Sequence, residues 1–245
     1  MRRPSLLKLF AAAFVLLLVA PSISAAEPRD RVGLFTTLPL YWREASGISE
    51  LLGPEAAAPW ARAVIERDYE LVPLDALSGE GAILGGLDRL LLAQPRTLSP
   101  AENVALDAWV RQGGRLLLFA DPLLTGESRF ALGDKRRPQD VALLSPILSH
   151  WGLQLRFDED QPAGERLAPL GEIVMPINAA GRFSYRPADE PDTSCIPRSC
   201  GLIAECTIGK GRALVVADAA LFDGDAATPE REQALGWLIA RAFVP

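Results

Sequence analysis

Histidine is almost absent from this chain: one residue, His150, among 245, beside three cysteines at 195, 200 and 206. Several chemistries are disfavoured by that scarcity. A serine hydrolase needs an imidazole near its nucleophile and a sharp Gly-x-Ser-x-Gly turn to raise it, and the sequence has no such turn and a single imidazole to offer. A structural zinc site needs a fourth ligand besides the three thiols, and His150 is far from them in sequence. Basic residues are outnumbered 25 to 31, and the one basic run beyond the N-terminus, Lys135-Arg136-Arg137, lies between Asp134 and Asp140. A solvated loop explains that run, and the acidic balance argues against nucleic acid, whose affinity rests on cations neutralising phosphates. There is no internal repeat, no low-complexity linker, and no second apolar stretch long enough to cross a membrane.

The first apolar stretch reads as an export signal. Arg2, Arg3 and Lys8 precede an apolar run from Leu9 to Ala20, Pro21 and Ser22 break it, and Ser24-Ala25-Ala26 supplies small residues for cleavage. An uncleaved N-terminal anchor is the alternative, though 12 apolar residues are short for a bilayer that takes about 20. Cleavage after Ala26 leaves 219 residues, enough for one α/β domain. Loss of the leader's three basic residues takes the net charge from −6 to −9. The expected location is the periplasm. In that oxidising compartment Cys195–Cys200 is the first choice for a disulfide, with Cys206 a buried, inert thiol; Cys200–Cys206 stays open as an alternative.

The strongest structural signal runs from Leu87 to Leu124. Leu90–Ala93 and Leu116–Phe119 are short continuous apolar runs, the pattern of strands buried on both faces. Between them, Ser99-Pro100-Ala101-Glu102 forms a capping box with Pro at the first helical position, and Gly113-Gly114 ends the helix. A strand–helix–strand unit of this kind implies a parallel sheet with right-handed crossovers. Val32–Phe35, Leu71–Leu74 (an edge or strand end, because of Pro73) and Arg212–Ala217 supply further strands. Short helices are expected at Ile48–Leu52 and from Pro59, and a longer one at Asp140–Trp151. The final helix is capped by Thr228-Pro229, with Leu235, Leu238, Ile239 and Ala242 on its inner face. Residues 153–208 alternate at period two and are rich in Pro and Gly, which predicts an antiparallel β insertion. The fold class is therefore α/β: a mostly parallel sheet with helices on both faces.

These motifs carry a resemblance. The buried strand, the Leu98-Ser99-x-x-Glu102 pattern, the helix, Gly113-Gly114-Arg115, the second strand and Asp121-Pro122 resemble the auxiliary extracytoplasmic domain of gliding-motility-type ABC transport systems. Gly209 to Asp218, followed by Leu221-Phe222, is similar to the closing strand of the same family. The likeness covers Val32–Asp121 and Gly209–Ala242, and implies a fold like that of class I glutamine amidotransferases. It also implies a protein partner, a membrane transporter component. The amidotransferase nucleophile would follow the strand Arg115–Phe119. Here Ala120-Asp121-Pro122 stands in that place, and no histidine follows Asp218 to act as base. No catalytic residue and no cofactor are assigned.

In open α/β sheets, ligands bind beyond the carboxyl ends of the parallel strands. Thr36, Thr37, Gln94, Asp121 and Asp218 fall at such ends, and Tyr41 and Trp42 add aromatic contact area beside them. Two readings stay open for the acidic residues. Asp121 and Asp218 converge with Asp223 or Asp225 on a hard cation in a metal-dependent hydrolase, or each caps a loop by accepting backbone N–H bonds. The expected function is a non-catalytic binding or accessory module. Its export is checked by N-terminal sequencing of the protein from whole cells, which should begin at or near Glu27; an intact Met1 in a cytosolic fraction would overturn the periplasmic expectation.

Overall fold

Leu90, Leu91, Leu92, Leu116, Leu117 and Leu118 are wholly buried and lie in register in two adjacent parallel strands. A computed structural model describes them together with residues 29–44, 58–79, 83–224 and 226–244. The leader, the expected Ile48–Leu52 helix and Asp225 lie outside the described residues. In chain order the strands are β1 (Asp30–Thr36), β2 (Tyr69–Pro73), β3 (Arg89–Ala93), β4 (Arg115–Phe119), β5 (Leu153–Arg156), β6 (Arg166–Leu170), β7 (Ile173–Ile177), β8 (Arg182–Tyr185), β9 (Thr193–Arg198), β10 (Ile203–Ile208) and β11 (Gly211–Val216). The α-helices are α1 (Trp60–Ile65), α2 (Pro100–Arg111), α3 (Ser145–His150) and α4 (Pro229–Phe243).

A seven-stranded sheet in the order β2-β1-β3-β4-β11-β10-β9 forms the centre, and its first five strands are parallel. Successive side chains alternate between its faces. Leu91 and Leu117 point to the layer of α1 and α4, whereas Leu90, Leu92, Leu116 and Leu118 point to that of α2 and α3. Each such leucine contributes roughly 1.5–3 kcal/mol by leaving water. The expected α/β architecture is the one found.

The local signals hold in atomic detail. Ser99 Oγ accepts from the Glu102 N–H at 3.2 Å and Glu102 Oε2 accepts from the Ser99 N–H at 2.9 Å, the reciprocal capping box. Gly113 sits at φ +125°, where a side chain would be strained, and turns the chain into β4. A Cβ on Gly211 would meet the Val110 carbonyl oxygen at 1.9 Å, so only glycine lets β11 start against the end of α2.

Three expectations change. The helix expected from Asp140 starts only at Ser145, because the preceding backbone is held elsewhere: Leu124 N–H donates to Asp140 O at 2.9 Å and Ala142 N–H to Asp121 O at 2.8 Å. The β-rich stretch 153–208 divides in two. β5 with β8 and β6 with β7 form two small antiparallel pairs, while β9 and β10 extend the main sheet as its antiparallel edge.

The third change is the disulfide, which joins Cys195 to Cys206 rather than to Cys200. Cys195 and Cys206 face each other across the β9–β10 pair, with Cα atoms 4.0 Å apart. Cys195 to Arg198 is extended strand, a span of about 10 Å before the turn is even reached, beyond the reach of a disulfide. Cys200 instead occupies the exposed 3-10 turn between the strands, at φ +56°. The register also explains Pro197. It lies two residues from a closely spaced, non-hydrogen-bonded pair, so its backbone nitrogen faces the outer edge of the sheet, where no ladder N–H is required. Non-reducing peptide mapping should recover the Cys195–Cys206 link and alkylation of Cys200 alone in the native state. Cys206→Ala should lower stability by about 2–4 kcal/mol in urea titration.

Candidate functional site at the carboxyl ends of the strands

The parallel strands run in the order 2-1-3-4-11, so the direction of winding reverses between β1 and β3. Such a reversal leaves a crevice at the carboxyl ends of the two strands. Here polar side chains close it. Thr36 Oγ1 donates to Ala93 O at 2.7 Å and accepts from Leu38 N–H at 2.9 Å. Thr37 Oγ1 donates to Gln94 O and accepts from Gln139 N–H at 2.9 Å. Both hydroxyls thus tie β1 to the end of β3.

Gln94 continues the stitching to β4. Its amide Nε2 donates to Asp121 O at 3.1 Å and Gln139 O at 2.8 Å, and Oε1 accepts from Asp121 N–H at 2.9 Å. The side chain is fully buried, and the residue adopts the left-handed region at φ +43°, unusual for a non-glycine. Three hydrogen bonds in a buried site offset that local cost.

Asp121 and Asp218 are also fully buried. Asp121 Oδ1 accepts from Leu123 N–H at 2.8 Å and Oδ2 from Ala219 N–H at 2.9 Å. Asp218 Oδ1 accepts from Ala220 N–H at 2.7 Å and Oδ2 from Asn178 N–H at 3.0 Å. Every carboxylate oxygen of the pair therefore holds a backbone N–H. Burial pushes the Asp121 carboxyl up to about 6, against the backbone bonds from Leu123 and Ala219, and the charge of Asp223 adds to the rise. Burial, then the neighbouring Asp121 charge, raises Asp218 well above the usual carboxylate range. Asp223 accepts from Thr125 Oγ1 at 3.1 Å and is also raised by burial, in part offset by that bond.

The nearest buried cation, Arg231, is turned to other acceptors: the Ala220 and Leu221 carbonyls and the Glu165 carboxylate. The arrangement is a set of loop caps rather than an open cation cleft. Among the described residues no group of three His, Cys, Asp or Glu side chains is placed to hold a metal ion.

Tyr41 and Trp42 stand apart from this buried layer. The Arg62 guanidinium lies 4.0 Å above the Tyr41 ring and donates to Tyr41 O at 3.2 Å, so Tyr41 is fixed. Trp42 is 69 % exposed and, among the rings of the described residues, touches only that of Tyr41, edge-on with centroids 5.0 Å apart. Glu44 bonds Ser128 Oγ and Arg129 N–H, which anchors this segment to the loop after β4. That loop carries the exposed Leu123, Val141 and Leu143. Of the predicted site residues, the structure brings Thr36, Thr37, Gln94 and Asp121 into one hydrogen-bonded layer. It places Asp218 beside them and leaves Trp42 outside.

Sequence reasoning missed Gln139, Asn178, Glu165 and Arg231. The first two act through backbone groups and leave no signal in residue type. Arg231 was legible: it extends the inner stripe Ala234, Leu235, Leu238 one turn toward the N-terminus, where a cation stands out. His150, the single histidine, ends α3 with Nδ1 3.0 Å from Asp189.

Asp121 binds its proton more tightly folded, at about 6, than in a free chain, at 3.8. Its contribution is complete below about pH 4 and is lost as pH rises through about 6, a loss of order 2–3 kcal/mol. Asp218 acts in the same direction. Urea titrations should therefore show stability falling between pH 4 and 7, and Asp121→Asn, which cannot titrate, should flatten that slope while lowering stability at pH 4.

Several solved structures align with the chain at low identity. The mmIFT52 N-terminal domain aligns over 86 % of this chain and 95 % of its own, at 13 % identity and a TM-score of 0.52. An exo-β-1,4-mannosidase from Opitutaceae bacterium strain TAV5 aligns over 88 % of this chain, at 13 % identity and a TM-score of 0.46. This chain spans only 34 % of that enzyme's length. A ThuA-like protein from Bacteroides uniformis aligns over 91 % of this chain and 97 % of its own, at 11 % identity and a TM-score of 0.44. No curated protein sequence matches. A family model does match, across residues 29–161, more than half of the chain, and the protein belongs to that family, described as ABC-type uncharacterized transport system.

Proposed function

We propose that this protein is a non-catalytic accessory module of an ABC-type transport system, exported to the periplasm, where it docks a membrane subunit of the transporter through the carboxyl-end face of its sheet. One observation carries the reading. At the strand ends, where this fold class places its chemistry, the polar side chains are taken up by backbone hydrogen bonds, and a large aromatic, Trp42, is left in solvent beside them. Thr36, Thr37, Gln94, Asp121 and Asp218 then form the rigid floor of the docking surface, and Tyr41 and Trp42 its contact layer. An anchored ring of two χ angles loses little entropy on binding, which suits it to protein contacts. Family membership supports the transporter as partner. The alternative of a metal-dependent hydrolase gains no support from carboxylates whose four oxygens already hold N–H groups.

Trp42→Ala should leave folding stability within about 0.5 kcal/mol of wild type, because the side chain is exposed. The same variant should lose affinity capture of the transporter's membrane subunit from detergent-solubilised membranes, as identified by mass spectrometry. Asp121→Ala should instead cost about 1–3 kcal/mol of stability through the orphaned N–H groups of Leu123 and Ala219. Undiminished capture by the folded Trp42→Ala protein would move the docking surface elsewhere.

A further inference from the structure

A second feature lies away from the β1–β3 crevice, where the β6–β7 pair, the start of β8 and the 3-10 turn after β9 enclose a cleft of about 210 Å³. Its lining includes the apolar Ala168, Pro169, Ile177 and Leu202 together with Arg166 and Arg182. A third arginine adjoins them: Arg156 of β5 is the direct cross-strand partner of Arg182 of β8. Like charges in directly opposed positions of an antiparallel pair oppose pairing.

Nothing among the described residues neutralises this group. Arg156 donates only to the Gln154 side-chain oxygen, and Arg166 to the Gln161 side-chain oxygen and Pro162 O, all neutral acceptors. Arg182 makes no hydrogen bond or ion pair with a described residue. None of the nearby acids forms an ion pair with these arginines among the described residues: Glu159 and Asp160 reach none of them, and two others are engaged otherwise. Asp158 caps the Asp160 N–H, and Glu165 pairs with Arg231. Other arginines do meet carboxylates, among them Arg62, Arg96, Arg111 and Arg231. In a chain of net charge −6, two arginines at one cleft and a third directly opposed to one of them, none with a carboxylate partner among the described residues, gather positive charge at one place.

We infer that this cleft binds a small organic anion, its oxyanion held by Arg166 and Arg182 with Arg156 reinforcing the field, and its short apolar body lying on Ala168, Pro169, Ile177 and Leu202. Guanidinium groups suit an oxyanion because they present several donors in a planar fork. The small volume restricts the body to a few carbons, below the size range of drug-sized ligands. Cys200, the free thiol of the described residues, lines the same cleft and reports on its occupancy.

The test follows the rate of Cys200 alkylation by the neutral reagent N-ethylmaleimide, in the presence of pentanoate, of inorganic phosphate, or of neutral pentanol. Pentanoate should slow alkylation saturably, phosphate more weakly for want of an apolar body, and pentanol not at all. Arg182→Ala and Arg166→Ala should each weaken pentanoate protection by about tenfold, the size expected for losing a charged hydrogen bond. Arg182→Ala should keep or raise the thermal midpoint, since it relieves the facing charges of Arg156 and Arg182. Equal protection by pentanol, no protection by pentanoate, protection unchanged in both variants, or a lowered midpoint in Arg182→Ala would each overturn the inference.

Discussion

Five parallel strands that end together leave a row of backbone N–H and C=O groups that no strand can satisfy, and the upper half of this molecule is organised around that constraint. Threonine hydroxyls join β1 to β3, a glutamine amide joins β3 to the loop after β4, Asp121 joins that loop to the segment after β11, and Asp218 caps that segment. Asn178 and Gln139 draw the β7–β8 turn and the long loop before α3 into the same layer through their main chains. Loss of any one bond orphans a buried partner, and a buried unpaired group costs more than the bond contributes when made. The crown is thus cooperative, and its geometry fixes what remains outside it.

This arrangement keeps the reactive side chains of the crown away from solvent. The side chains with chemical potential lie under the surface and hold backbone; those that reach solvent, Trp42 among them, are large and carry no reactive group. Two buried carboxyls without a cation partner tie the crown to pH, because burial raises the proton affinity of each above that in the unfolded chain. The same logic of unmatched charge, with opposite sign, sets apart the arginines at the β5–β8 pair. There the charges are exposed, so solvent tolerates them and an anion is free to approach.

What the sequence determined by itself was the local and the periodic. Continuous leucine runs made β3 and β4 doubly buried strands, Ser99 and Glu102 started α2, and Leu235, Leu238, Ile239 and Ala242 turned α4 inward. These signals are legible because they rest on contacts between near neighbours in the chain or on a repeat that one face of an element must obey. Even the positions of Thr36, Thr37, Gln94, Asp121 and Asp218 followed from where those strands stop. Tertiary structure alone decided what these residues do. Whether Asp121 faces a cation or two N–H groups depends on Ala219, 98 positions away, and no local pattern encodes that distance. The disulfide is the same case: proximity in sequence favoured Cys200, but an extended strand carries the chain away from Cys195, and the antiparallel register returns Cys206 to face it. Register and long-range closure are set by the packing of the whole sheet, and that information exists only once the chain has folded.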